Sequence, residues 1–253
     1  MSLDALADAG FDLETTNHAD AILSRAFRPE FDALCEVLLS MEIKCTEMMK
    51  GGGNEAPPTR RLRQLLNDAG WPKRNIEVTK SVDGTPRSST THEIDHVRDC
   101  DRGTLALEIE WNNKDPFFDR DLENFQRLHA DGAISVGIVV TRGRSLQTNM
   151  RDILIVCAKT NNLRTTADFR RVGIKEPTAN QRAQLDRLGA STDFARAAGT
   201  MMATKYGEST THWNKLTERL DRGVGNPCPL LLVGLPATCV TVVSEAGNSE
   251  GQP

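Results

Sequence analysis

With 253 residues, 38% of them hydrophobic, the chain is long enough to bury a full core as one domain, or one core with a subdomain. No apolar run approaches the roughly 20 residues that span a bilayer, and the six cysteines are scattered without a CxxC pair, which argues against disulfides or a zinc knuckle and for reduced thiols. The net charge of −4 is concentrated at the start, where residues 1–20 carry five acids and no Lys or Arg, leaving 31 basic against 30 acidic residues elsewhere, a balance of +1.

The N-terminus has neither the basic start nor the apolar stretch of a secretion signal, so a cytoplasmic protein with no membrane association is expected. In chain order, Asn17-His18-Ala19-Asp20 reads as a helix start with Asn17 as cap. A second helix opens at Pro29 and carries Phe31, Leu34, Val37, Leu38 and Met41 at helical spacing. Gly51-Gly52-Gly53 breaks the chain, and Pro57-Pro58 opens a basic amphipathic helix that Gly70 ends. Arg60, Arg61, Arg63, Lys73 and Arg74 make a local basic cluster, compatible either with gripping phosphates or with solvated faces. Strands are predicted at 74–80, 90–98 and 103–111, with turns at Asp83-Gly84 and Cys100–Gly103. Asp115-Pro116 reads as cap and first residue of a helix whose inner face holds Phe118, Leu122, Phe125 and Leu128, with Asp119 and Asp121 suited to the helix dipole. Residues 133–140 form a short apolar run consistent with a buried strand, helical patterns cover 146–160, 178–188, 191–203 and 210–221, and Cys228–Leu235 reads as a last buried strand. The sum is an α/β fold with a mixed sheet flanked by helices.

The segment Leu105–Glu110 alternates strictly, placing Leu105, Leu107 and Ile109 on one face and Ala106, Glu108 and Glu110 on the other. The two glutamates lie roughly 6–7 Å apart along the strand. A four-residue loop at Cys100–Gly103 pairs Asp95 with Glu108 and His96 with Leu107, and brings Glu93 opposite Glu110 as an extra acid. Acids converging this way repel one another unless a cation sits between them. A solvated acidic hairpin is the other reading that the pattern allows. A Mg²⁺ held by Asp95, Glu108 and the backbone carbonyl of Ile109 would polarise a scissile phosphate and acidify a bound water. Glu110 would orient or deprotonate that water, and Lys114 would neutralise charge on the transition state.

Six stretches, NHADAIL, CEVLLSM, LALEIEWNNKDPFFDRDL, AISVGIVVTRG, STTHWNKL and CPLLLVGL, lie in order over roughly residues 15–240. In them the chain resembles the PD-(D/E)xK nuclease superfamily, and within it the type II restriction endonucleases of the BglII/BstYI group. The resemblance implies a restriction-endonuclease-like fold, with a single nuclease domain over 21–243, an acidic segment at 1–20 and a disordered tail at 244–253. It further implies a Mg²⁺-dependent homodimer, with Mn²⁺ as a substitute, that cuts double-stranded DNA at a short palindromic site, and a cognate DNA methyltransferase as a separate protein. The family's first metal-binding acid falls on Asp95 if the hairpin is lengthened here, or on Asp99 if family spacing is kept. The second falls on Glu108. The third position, lysine in most of the superfamily and glutamine in close BglII relatives, is Glu110, and Glu36 matches a supporting acid. An inactive DNA-binding module that kept the fold, or a repair or structure-specific nuclease, are the competing readings. Arg142, Arg144 and His212 are the candidates for DNA contact.

Overall fold

Strand-forming stretches and amphipathic helices alternate along the residues that the computed structural model describes, 3–50, 55–189 and 193–244. The glycine run at 51–53 and the tail beyond 244 lie outside the described residues. The chain begins with α1 (Leu3–Asp8), β1 (Asp12–Thr16), α2 (Ala19–Ala26), α3 (Arg28–Leu39), β2 (Ile43–Lys44), α4 (Cys45–Met49) and α5 (Pro57–Asp68). Next come β3 (Arg74–Val82), β4 (Thr85–Ile94), β5 (His96–Cys100), β6 (Gly103–Glu110), α6 (Phe117–Ala130) and β7 (Val136–Arg142). It closes with α7 (Arg144–Thr160), α8 (Ala179–Gly189), α9 (Phe194–Ala203), α10 (Trp213–Asp221), β8 (Leu230–Leu235) and β9 (Val240–Thr241). The chain divides into two compact units, the first made of 1–41, 59–144 and 209–236 and the second of the remainder.

The first unit is built on a five-stranded mixed sheet in the order β1-β8-β7-β6-β5. β6, β7 and β8 run parallel, while β1 and β5 are antiparallel edge strands. The acidic stretch expected to stand apart at 1–20 therefore supplies an edge strand, with Asp12–Thr16 paired to Leu230–Gly234. Its polar residues suit an edge, and that polarity hides the strand from a hydrophobic pattern. The face of Ala106, Val139, Leu230 and Leu232 packs against Phe118, Leu122, Phe125 and Leu128 of α6 and Trp213 and Leu216 of α10. Residues of the opposite parity, Leu105, Leu107, Ile138 and Leu231, are equally buried, so helices and loops cover both faces. Gly137 lets α6 approach, since a Cβ there would lie 2.5 Å from the Phe125 ring.

The predicted strand 90–98 is in fact two. β4 ends at Ile94, Asp95 forms a bend, and β5 begins at His96. β4 leaves the main sheet to pair with β3 as a separate two-stranded ribbon, closed by Asp83 and Gly84 at positive φ. Two expected helix caps also differ. Asn17 adopts φ 50 and donates from its side chain to Asn226 and the Cys228 carbonyl, leaving His18 at the cap of α2. Asp115 pairs with Arg219 at 3.0 Å, and α6 starts at Phe117 behind Pro116.

The second unit contains the two-residue parallel pair β2–β9 and helices α4, α8 and α9 with all of α7 after its first residue. Gly199 brings α9 against α7 so closely that a Cβ would lie 2.6 Å from the Ile155 backbone. Tyr206 donates its hydroxyl to the Met48 carbonyl at 2.9 Å. Cys45 and Cys157, 112 residues apart, form a disulfide here, contrary to the expectation of reduced thiols throughout. Both are fully buried on facing helices, a proximity that no local spacing announces. Cys35, Cys100, Cys228 and Cys239 are free thiols.

Candidate functional site

The alternation of β6 places Ala106, Glu108 and Glu110 on the face covered by α6, and α6 presents Asp121 to the same space. β5 pairs with β6 in the register His96–Leu107 to Asp99–Thr104, closing at Cys100–Gly103, as the alternation predicts. At the bend beyond that ladder, Asp95 and Glu108 interlock. The Asp95 backbone N–H donates to Glu108 Oε2 at 3.2 Å, and the Ile109 N–H donates to Asp95 Oδ2 at 3.1 Å. A strand residue sends its N–H and C=O toward the same edge. The Ile109 carbonyl therefore points to the Asp95 side, one position past the last rung.

Glu108, Glu110 and Asp121 are 5%, 3% and 1% exposed, which removes the solvated-hairpin reading. Burial, followed by the charges of Asp121 and Asp95, holds the Glu108 carboxyl well above the usual carboxylate range. Burial and Asp121 push Glu110 up to about 9, against the opposing pull of Asn113 and Arg120. Burial also raises Asp121, partly offset by its hydrogen bond to Glu110 and by Arg120. Asn113 donates to Glu110 Oε2 at 2.9 Å. Arg120 stacks over the Phe117 ring, 4.5 Å from its centroid, and its Nη2 lies 2.7 Å from Asp121 and 3.7 Å from Glu110.

Asp121 was legible only in part. It falls between Phe118 and Leu122 on the apolar stripe of α6, and an acid on an inward stripe is itself a signal of a polar centre. Among the described residues no three His, Cys, Asp or Glu side chains close into a ready-made metal cage. Asp121 Oδ2 is buried with no hydrogen-bond partner among those residues, and the carboxylates crowded around it share the countercharge of Arg120. That donor chemistry fits a hard divalent cation of the kind that takes one or two carboxylates and keeps several waters.

The other sequence candidates fall elsewhere. Because the chain bends at Asp95, Glu93 lies in the ribbon opposite Asn75 and pairs with Lys73 at 2.7 Å, so it does not face Glu110. Asp99 lies at the turn end of β5 and binds Arg74 and Thr104. Glu36 is exposed on α3. Lys114 is exposed, and its backbone bridges to Thr210, four residues beyond Glu110. Arg142 is fully buried and donates to Thr210 Oγ1 at 2.6 Å and the Thr211 carbonyl at 2.7 Å, which ties it to the chain itself. His212 is also buried, at the start of α10. Arg144 is the exposed member of the three, 64% exposed, beside Asp12 and 5.9 Å from the Trp213 ring centroid.

No curated protein matches the chain in sequence. A family model described as restriction endonuclease BglII/BglIII matches residues 11–235, a span that takes in every strand of the main sheet and all four buried or interlocked acids.

Proposed function

Because this chain belongs to the BglII/BglIII family of restriction endonucleases, which implies sequence-specific cleavage of DNA, we propose that it is a type II enzyme. It hydrolyses double-stranded DNA at a short palindromic site and depends on Mg²⁺, with Mn²⁺ able to take its place. The observation that carries this reading is the interlocked Asp95–Glu108 pair beside two more buried acids at the end of β6.

Asp95, Glu108 and the carbonyl of Ile109 would hold the cation. When bound, it supplies charge that polarises the scissile phosphate and acidifies water. Glu110 is the water-handling group. Its proton affinity, raised to about 9, makes it a stronger base than an ordinary carboxylate once it has lost its proton. Asp121 and Asn113 fix the direction of that carboxyl, and Arg120 keeps the acids from repelling one another apart. No bond joins Lys114 to the acids among the described residues, so its sequence-based role requires the substrate to reach across to it.

One acid centre cuts one strand, and a palindrome has the two-fold symmetry of a homodimer, so two copies would cut both strands. Such an activity in the cytoplasm endangers the host's own DNA, which is why a separate cognate methyltransferase is expected. No helix among the described residues is long and apolar enough to cross a membrane.

Digestion of a plasmid with Mg²⁺ should give discrete fragments, and Asp95→Asn and Glu108→Gln should each lower cutting by roughly 10²-fold or more. Parental activity in both variants would sink the site assignment. Sequence-specific retention of DNA without cutting in Mg²⁺ or Mn²⁺ would instead identify an inactive binding module, and random nicking a repair-type nuclease.

A further inference from the structure

β6 carries Glu108 and Glu110 and no Lys or Arg, so the strand itself brings no positive charge to the phosphate. A cation reaches the site from another part of the chain. The segment Trp71–Lys73, between α5 and β3, is strapped to the segment that carries Asp95. The Trp71 carbonyl accepts a hydrogen bond from His96 Nδ1 at 2.6 Å, and the Pro72 carbonyl accepts one from the Val97 N–H at 2.9 Å. His96 is fully buried, and a carbonyl can only accept, so the ring is held with its proton on Nδ1. Residue 73 is thereby fixed beside Asp95. The Lys73 ammonium lies 2.7 Å from Glu93 Oε1, and both side chains are more than half exposed. Its charge is also felt at the site, since Glu93 foremost and then Asp95 and Glu108 raise its proton affinity.

Neither of the other nearby cations is as well placed. Arg120 is bound to Asp121 and lies beside Glu110, where it neutralises the acids themselves. Lys114 lies beyond the strand end, in the bridge to Thr210.

We propose that Lys73 is a catalytic residue that binds a non-bridging oxygen of the scissile phosphate, supplying from the entrance of β3 the positive charge that β6 does not carry. This rests on the endonuclease reading above and names one more residue of the same site. In the absence of DNA, Glu93 holds the ammonium in place. An ion pair this exposed contributes little, so a phosphate can displace Glu93 at small cost.

The test uses the full-length protein and the variants Lys73→Met, Lys73→Arg and Glu93→Gln. Cleavage of a duplex is followed with Mg²⁺ under single-turnover conditions, and duplex binding without divalent metal is followed as a function of salt. Lys73→Met should cut on the order of 10- to 100-fold more slowly, the scale of a lost hydrogen bond to a charged group. Its slope of log affinity against log salt should be shallower by about 0.9, one phosphate contact. Lys73→Arg should keep the parental slope, and Glu93→Gln, which removes the competitor for the ammonium, should cut at least as fast as the parent. Parental cleavage by Lys73→Met, a loss of cleavage with an unchanged salt slope, or a Glu93→Gln enzyme well below the parent would each overturn the proposal. If the parent cuts no duplex at all, the endonuclease reading falls and takes this one with it.

Discussion

At the scale of single residues, the proposed chemistry turns on Glu110, a buried carboxyl that holds its proton. Burial, and then the charge of Asp121, pushes Glu110 from its ordinary value near 4.5 up to about 9 in the fold. Between those values the unfolded chain has released a proton that the native state retains, so native stability falls as pH rises, by roughly 1.4 kcal/mol per unit. Melting of the metal-free protein between pH 5 and 8.5 should therefore show a falling midpoint that is flatter in Glu110→Gln. Equal slopes in the two proteins would contradict the burial argument. Mg²⁺ should stabilise the parent more at pH 8 than at pH 5.5, because a cation must displace protons from the acids. The register that sets Asp95 beside Glu108 was readable, because a strict alternation with a short loop fixes it. Asp121 was legible only in part, because the helix start beside Asp119 offered a sufficient local explanation for an acid on the inward stripe. Arg142 misled for a related reason. A residue after a buried strand looks exposed in the sequence, and only the fold shows Thr210 and Thr211 closing over it.

At the scale of elements, α6 determines whether the site is assembled, since it brings both Asp121 and Arg120 to β6. Its seat on the sheet depends on Gly137 of β7, where a methyl group would lie 2.5 Å from Phe125. Gly137→Ala should cost about 1–3 kcal/mol of stability by overpacking, measured by denaturant unfolding, and should slow cutting as the helix shifts. A variant as stable and active as the parent would show that α6 is not held there. The central strands and most helices were legible from apolar periodicity, to within a few residues. The break between β4 and β5 was not, since 90–98 reads as one strand and nothing local marks Asp95 as a bend. That bend moves Glu93 out of the acid cluster and sets it against Lys73.

At the scale of the molecule, what stayed hidden in the sequence was set by contacts between distant segments. β1 is a polar edge strand whose partner lies more than 200 residues away, and Cys45 meets Cys157 across 112 residues. Neither leaves a local trace, so the acidic start reads as a separate segment and the cysteines read as isolated. Membership of the family spans the chain from residue 11 to 235, which is why six short stretches in order carried it where any one would not. We propose that this fold cuts both strands of DNA at one short sequence, using the acids at the end of β6. The ends of the products formed from a long duplex in Mg²⁺ can be sequenced to test it. A type II enzyme gives one recurrent palindromic sequence at every end, a constant offset between the two strands, and no products from Glu108→Gln. Ends scattered over unrelated sequences, or no ends at all, would contradict it.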